Sequence, residues 1–167
     1  MNIILIGMPG CGKSTVGVIL AKVLGLQFCD TDLVIQQREG RRLQEIIDAE
    51  GNDAFLRCER DALVTLDVED SVVATGGSAV YSAEAMAHLR AIGTVVYLRV
   101  SAEEIERRLA DFAARGVAIK DGQTVRDLYD ERIPLYEKYA DITVSAEGEG
   151  GIPATIGRIA EELAKRS

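Results

Sequence analysis

Short runs of apolar and β-branched residues alternate along the chain with longer segments in which apolar residues recur at helical spacing. The five runs, each predicted to be a strand, span residues 2–6, 27–29, 71–75, 94–100 and 142–144. Strands that alternate with helices favour parallel pairing, because a helical crossover returns the chain to the same end of the sheet. Continuous apolar runs are typical of strands that are covered on both faces. The pattern therefore predicts an α/β protein whose parallel sheet carries helices on both faces.

The helical segments carry several boundary signals. Residues 42–66 are predicted to form a helical pair or a kinked helix that breaks at residues 51–53, where Gly-Asn-Asp disfavours a continuous helix. Ser101 and Glu104 have capping-box spacing, which predicts a helix directly after the fourth run. Residues 156–165 alternate apolar and charged positions at helical spacing. We expect this last helix to close one face of the sheet.

Length and composition favour a single domain, residues 1–167. A chain of 167 residues with 47% hydrophobic content can bury one sizeable core. The net charge of -8 argues against a nucleic-acid partner, because phosphate backbones are usually bound by a basic face. The sequence contains no apolar stretch of about 18 residues. We expect a monomeric cytoplasmic protein that acts on a small molecule and binds no membrane.

Two further features fit that expectation. The cysteines, Cys11, Cys29 and Cys58, are odd in number and lack C-x-x-C spacing, which favours reduced thiols. Residues 111–123 mix alanine, glycine and charged residues between two helical segments, which is typical of a mobile flap or lid.

The first predicted strand is followed by a complete phosphate-loop motif, G-x-x-x-x-G-K-S, at residues 7–14. Such a loop directs backbone N–H groups of residues such as Gly10, Cys11, Gly12 and Thr15 at phosphate oxygens, and the following helix adds its N-terminal dipole. Lys13 supplies a positive charge and Ser14 a hydroxyl for Mg²⁺. The alternative is an ordinary glycine-rich turn, but the strand before it and the helical segment after it favour a nucleoside triphosphate site.

The second predicted strand ends in Asp30-Thr31-Asp32, at the carboxyl edge where open α/β sheets bind ligands. Asp30 could orient water on Mg²⁺, and Asp32 could hold or deprotonate an acceptor hydroxyl group. The alternative is structural, with Asp32 or Thr31 acting only as the N-cap of the next helix.

The sequence resembles the shikimate kinases over nearly its whole length. Beyond the phosphate loop and the Asp30 to Asp32 element, the matching residues are Phe55 and Glu59, Gly76-Gly77-Ser78-Ala79-Val80, Arg107-Arg108, Arg115, Glu131-Arg132-Ile133-Pro134-Leu135-Tyr136 and Ala140-Asp141. The resemblance implies a three-layer α/β/α P-loop kinase fold with a five-stranded parallel sheet of order 2-3-1-4-5. It also implies ATP and Mg²⁺ as cofactors, transfer of phosphate to the 3-hydroxyl of shikimate, a substrate-binding region at residues 32–60 and a lid at residues 111–123.

The same resemblance implies a role for individual residues. Lys13 would bridge phosphates, Ser14 and Asp30 would hold the metal, and Asp32 would bind substrate hydroxyl groups. The remaining implied roles are backbone donation by Gly76 and Gly77, carboxylate binding by Arg132, contact with adenine by Arg108, and charge neutralisation on the β- and γ-phosphates by Arg115.

Three departures from the family pattern put the acceptor in question. Leu56 stands where the family has an arginine that binds the shikimate carboxylate, and losing that arginine uncompensated would weaken binding by ~2–4 kcal/mol. Arg60, one turn along the same helix face, is the better substitute, and Arg57 is the other candidate. Both are otherwise read as solvated surface residues. The third glycine of the turn is Ser78, and Gly116 replaces a proline in the lid.

The leading hypothesis is therefore a shikimate kinase. The alternatives are a related enzyme for another small acceptor such as homoserine, and a nucleotide-binding regulator without activity.

Overall fold

Five parallel strands form one sheet in this computed structural model, which describes residues 1–110 and 122–166. The strands are β1 Ile3–Ile6, β2 Gln27–Asp30, β3 Ser71–Ala74, β4 Thr94–Arg99 and β5 Ile142–Ser145. Their order is β2-β3-β1-β4-β5, with every neighbouring pair parallel. The predicted three-layer fold and its strand order are confirmed.

The centre of the sheet is the most apolar part of the chain. Ile3 of β1 pairs with Val72 of β3 on one side and with Thr94 of β4 on the other. All residues of β1 and β3 are buried, as expected for strands covered by helices on both faces. The edge strand β2 is more exposed, which matches its short and less apolar sequence.

The helices of the described residues cover both faces of the sheet. They are α1 Lys13–Leu24, α2 Thr31–Glu39, α3 Leu43–Glu50, α4 Asn52–Val64, α5 Ala83–Ile92, α6 Ala102–Ala110, α7 Val125–Tyr139 and α8 Gly151–Ala164, with a 3-10 turn at Ala79–Tyr81. The predicted break in residues 42–66 lies at Gly51. Its φ of 86° would be strained in any residue that has a side chain. The last helix begins at Gly151, earlier than its periodicity indicated. None of these helices is long and apolar enough to span a membrane.

The start of α6 differs from the predicted capping box. Ser101 Oγ accepts a hydrogen bond from the Glu104 N–H at 3.4 Å, but the carboxylate that accepts from the Ser101 N–H is Glu147, at 3.2 Å. Glu104 instead binds Arg107 and Arg108. The two arginines, one turn further along the helix, attract the carboxylate more strongly than a neutral amide does.

Helices α2 to α4 build a small second apolar cluster beside the sheet edge. Its buried members are Ile35, Ile46, Phe55 and Ala62, and Leu56 packs against them. The carboxyl ends of β1, β2 and β3 open towards this cluster, so the loops after these strands share one site with α2 to α4.

Candidate active site

The phosphate loop after β1 is held in the conformation that its glycines permit. Gly7, Gly10 and Gly12 have φ values of 150°, 79° and 97°. A Cβ atom at Gly7 would lie 2.8 Å from the backbone oxygen of Leu98, so a side chain there is excluded. Gly12 is also the N-cap of α1 and offers no side-chain cap. The first N–H groups of α1 are therefore available to an anion.

Lys13 is drawn into the loop that it follows. Its side chain is 8% exposed, and Nζ donates to the backbone oxygens of Gly7 at 2.7 Å and Met8 at 2.9 Å. Nζ also lies 3.7 Å from Sγ of Cys11. The ammonium group is thus positioned by the loop itself, beside the path of a phosphate chain.

A cavity of about 370 Å³ lies in front of the loop. Polar groups from separate elements face it, and apolar side chains of α3 and α4 form another wall. The lining includes Gly10, Gly12, Lys13, Ser14, Thr15, Asp32, Leu43, Ile47, Phe55, Thr75, Gly76, Gly77, Ser78 and Arg132. The structure thus brings most of the phosphate loop to one cavity with four residues of the predicted acceptor site, Asp32, Gly76, Gly77 and Arg132. We call this the main cavity.

Asp30 and Asp32 have different surroundings. Asp30 is the N-cap of α2, since Oδ1 accepts from the Asp32 N–H at 2.9 Å, while Oδ2 accepts from Ser14 Oγ at 3.2 Å. The cap is therefore neither Asp32 nor Thr31, and the Asp32 carboxyl faces the main cavity. Burial raises the pKa of Asp32, the charge of Asp30 raises it further, and Lys13 lowers it in part.

Glu59 of α4 is a functional candidate that the sequence motifs leave without a role. It is 2% exposed, and Ser78 Oγ donates to Oε2 at 2.5 Å. Oε1 has no hydrogen-bond partner among the described residues. A Cβ atom at Gly76 would lie 2.6 Å from this oxygen and 3.2 Å from Oδ1 of Asp32, so only glycine fits between the two carboxyls.

The protonation of Glu59 reflects its position. Burial raises the pKa of Glu59 to about 7, the hydrogen bond from Ser78 lowers it, and the charge of Asp32 raises it. Arg132 and Lys13 lower it more weakly. The available signal in the sequence is the spacing of Glu59 from Phe55 and Leu63, which places a carboxyl on the buried stripe of α4.

Arg132 of α7 is 2% exposed and lines the main cavity. Its Nε donates to the Tyr81 hydroxyl at 3.1 Å, and its guanidinium lies 5.1 Å from the centre of the Tyr81 ring. A Cβ atom at Gly77 would lie 2.9 Å from Nη1, so the guanidinium packs directly on this glycine. The Tyr136 hydroxyl donates to the Gly77 oxygen at 2.6 Å and fixes the turn below it.

Arg108 borders a second cavity, of about 650 Å³, on the other side of the phosphate loop. Its Nε donates to Glu104 at 2.8 Å, Nη1 to the Gly10 oxygen at 3.2 Å and Nη2 to the Ala146 oxygen at 3.3 Å. The guanidinium plane is therefore fixed at the rim of a cavity that adjoins the phosphate loop.

The two proposed substitutes for the missing arginine do not reach the main cavity. Arg60 is exposed and binds Asp61, with nitrogen to oxygen distances of 2.9 and 2.7 Å. Arg57 is also exposed. Both line a separate cavity of about 310 Å³, together with Leu56 and Tyr81. The arrangement gives no support to compensation at the main cavity, because the exposed face of α4 points elsewhere.

Arg115 and Gly116 lie outside the described residues, as does most of the predicted lid, of which residues 122 and 123 are described.

A phosphate loop and an acceptor cavity that meet at the carboxyl edge of a parallel sheet define a P-loop phosphotransferase for a small acceptor. The family model of the shikimate kinases matches residues 9–165 of this chain. The chain belongs to this family, as its motifs predicted.

Individual relatives agree over nearly the full length. A shikimate kinase of Paracidovorax citrulli is 40% identical over 98% of this chain and 92% of its own length. One of Pseudomonas paraeruginosa is 43% identical over 88% of this chain and 87% of its own. The structure of shikimate kinase from Acinetobacter baumannii in complex with shikimate is similar, with a TM-score of 0.88, 31% identity and coverage of 99% and 94%.

Proposed function

We propose that this chain transfers the γ-phosphate of ATP to the 3-hydroxyl group of shikimate. The observation that carries the proposal is the main cavity, where the phosphate loop, Asp32 and Arg132 face one another. An anionic donor and an anionic acceptor both need positive groups, and Lys13 and Arg132 supply them in this cavity. Family membership supports the reaction, and the complex of the Acinetobacter relative supports shikimate as the acceptor.

Each ligand would meet a distinct set of groups. Phosphate oxygens would accept hydrogen bonds from the N–H groups of Gly10, Cys11, Gly12, Lys13, Ser14 and Thr15. Lys13 would exchange its contacts with backbone oxygens for the transferring phosphate, and Arg108 would lie along the base. On the acceptor side, Arg132 would bind the carboxylate, and the backbone of Gly76 and Gly77 would donate to acceptor oxygens.

Asp32 is the residue best placed to act on the acceptor hydroxyl. In the proposed reaction, the hydroxyl oxygen attacks the γ-phosphorus, its proton passes to the Asp32 carboxylate, and ADP leaves. The raised pKa of Asp32 makes its carboxylate a stronger base than a solvated aspartate. Arg115 would neutralise charge on the transferring group. The catalytic set that we propose is therefore Lys13, Asp32 and Arg115.

Ser14 and Asp30 form a donor set that fits Mg²⁺. Both supply oxygen, and Mg²⁺ is usually held by one or two protein oxygens together with phosphate oxygens and water. The described residues contain no group of three or more His, Cys, Asp or Glu side chains that could hold a metal ion. In the proposal, phosphate oxygens of the nucleotide and water would complete the coordination. When bound there, Mg²⁺ neutralises negative charge on the phosphate chain.

Several wider features remain part of the proposal. Residues 1–167 act as one domain, residues 32–60 bind the acceptor, and residues 111–123 close over the nucleotide. The protein works as a cytoplasmic monomer.

The function is tested by coupled ADP release with purified protein, Mg·ATP and shikimate, with the phosphorylated product identified by mass spectrometry. We expect turnover well above the ATPase background. Asp32→Asn should lower kcat by about a hundredfold or more, because it removes the base at the reacting hydroxyl. Asp67→Asn, at an exposed site between α4 and β3, is the matched control and should leave kcat unchanged.

A second acceptor remains a candidate because Leu56 removes one cation of the expected carboxylate site. Homoserine and other hydroxy acids therefore belong in the same assay. Shikimate turnover no higher than background, combined with strong turnover of another acceptor, would refute the shikimate assignment. ATP binding without phosphorylation of any acceptor would instead favour a regulator.

A further inference from the structure

The acceptor side of the main cavity depends on one guanidinium group. Among the described residues that line this cavity, Arg132 is the one arginine. Position 56 holds a leucine that packs into the apolar cluster of α2 to α4. A lone arginine binds a carboxylate well only if its planar group is already oriented, because a free arginine side chain must lose much of its rotamer freedom. The contacts that orient Arg132 therefore bear directly on acceptor affinity.

Tyr81 makes two contacts with that guanidinium. Its hydroxyl accepts from Arg132 Nε at 3.1 Å, and its ring lies under the guanidinium, 5.1 Å from the central carbon to the ring centre. The hydroxyl in turn donates to Oε1 of Glu131 at 3.0 Å. Because that donation directs the phenol hydrogen towards Glu131, an oxygen lone pair is left to accept from Arg132. The relay restrains both the position of the guanidinium and its rotation, and Tyr136 makes a further hydrogen bond with Arg132.

Tyr81 forms its hydrogen bond with the Nε atom of Arg132, which a carboxylate ligand does not require. Tyr81 engages Nε, whereas Nη1 lies over Gly77, which lines the main cavity. A carboxylate can bind the two Nη groups of an arginine as a planar fork. Tyr81 itself belongs to the 3-10 turn that follows the Gly76 and Gly77 loop, and it also lines the small cavity beside Leu56. Tyr81 therefore contacts Arg132 at Nε and on one face of the guanidinium, away from the Nη groups that a carboxylate would bind.

We propose that Tyr81 is a positioning residue that holds Arg132 in the orientation needed to bind the acceptor carboxylate. Tyr81 thereby determines how strongly this enzyme binds that carboxylate. The proposal rests on the proposed function for its acceptor chemistry, a carboxylate that also carries a hydroxyl group. Tyr81 does not touch the reacting atoms, so its removal acts on acceptor binding and leaves the chemical step intact.

The test compares Tyr81→Phe with wild type in steady-state kinetics for ATP and shikimate. This variant keeps the ring under the guanidinium and removes only the hydroxyl. We expect KM for shikimate to rise about three- to tenfold, with kcat and KM for ATP within twofold of wild type. Tyr129→Phe is the matched control, since Tyr129 donates to the Val100 oxygen at 3.1 Å from the same helix as Arg132. It should leave KM for shikimate unchanged.

A second background separates positioning from general damage. Leu56→Arg restores the arginine of the family pattern as a second cation for the acceptor carboxylate. It should make the Tyr81 hydroxyl less important, so the effect of Tyr81→Phe on KM should fall below twofold there. Thermal unfolding of each variant checks folding. If Leu56→Arg does not fold, the contrast between KM for shikimate and KM for ATP in the single variants decides.

The outcomes distinguish this inference from the proposed function. Shikimate turnover with an unchanged KM in Tyr81→Phe overturns the inference alone, and so does a parallel rise in KM for ATP. If wild type ignores shikimate but phosphorylates another hydroxy acid, whose KM rises in Tyr81→Phe, the shikimate assignment fails and the role of Tyr81 stands. If no carboxylate-bearing alcohol is phosphorylated, both are refuted.

Discussion

Glu59→Gln is predicted to remove a pH-dependent loss of stability from this protein. Glu59 is almost fully buried, its Oε2 accepts from Ser78, and its Oε1 has no hydrogen-bond partner among the described residues. Burial raises the pKa of the carboxyl from an ordinary value of 4.5 to about 7. Glutamine has the same shape and stays neutral at every pH, so the variant isolates the ionisation of this one group.

The sign follows from proton binding in the two states. Between pH 4.5 and about 7, the folded protein keeps the proton on Glu59 while the unfolded chain releases it. Stability therefore falls as pH rises through this window and levels off above the folded pKa. At 1.36 kcal/mol per pKa unit, the shift corresponds to about 3 kcal/mol. Such a loss is a substantial part of the 5–15 kcal/mol that is typical of a domain.

Urea unfolding at half-unit steps from pH 4.5 to 8 measures the effect. Other carboxyls titrate in both proteins, so the quantity of interest is the free energy of unfolding of Glu59→Gln minus that of wild type. This difference should increase by about 3 kcal/mol between pH 4.5 and 7 and then remain constant. Glu149→Gln, on an exposed loop, is the control and should show no such trend. A difference that stays flat across the range for Glu59→Gln would refute the reasoning.

Two further substitutions test other parts of the structure. Lys13→Met removes the ammonium group that we propose to contact the transferring phosphate, so kcat in the coupled assay should fall about a hundredfold or more while circular dichroism stays unchanged. Gly93→Ala should lower the free energy of unfolding in urea by about 1–3 kcal/mol, because the new Cβ atom would lie 2.7 Å from the backbone oxygen of Asn2, directly before β1. An unchanged urea midpoint for Gly93→Ala would mean that this contact relaxes freely.

Short-range patterns in the sequence predict the elements of this fold well. The strands of the structure coincide with the apolar runs to within about one residue at each end. The central strands are buried on both faces, and this burial requires an apolar composition that is easy to recognise. The phosphate loop can also be predicted from local sequence, since its glycines and Lys13 lie within eight consecutive residues, 7–14. The order of the strands could not be predicted in this way, because periodicity does not show which strands are neighbours in the sheet. It followed from the family resemblance, and the structure confirms it.

The parts of the site that sequence reasoning did not reach depend on contacts between distant residues. Tyr81 meets Arg132 across 51 positions of sequence, and Ser78 meets Glu59 across 19. No spacing rule connects such pairs. Helix caps show the same limit, because Glu147 takes the place that Glu104 was expected to fill at the start of α6.

The charges in and beside the main cavity are consistent with the two anions that we propose this acidic protein binds. Two cations, Lys13 and Arg132, act on two carboxyls, Asp32 and Glu59. With Glu59 protonated the cations outnumber the carboxylates, and when Glu59 ionises the cavity loses that excess. A bound carboxylate beside Arg132 therefore favours the proton on Glu59, and by the same linkage the proton favours the bound carboxylate. The net charge of -8 belongs to the surface and does not describe the site. Because one buried carboxyl sets the local balance, the stability of the fold changes below about pH 7, whereas the affinity for the proposed acidic acceptor should fall as the pH rises above that value.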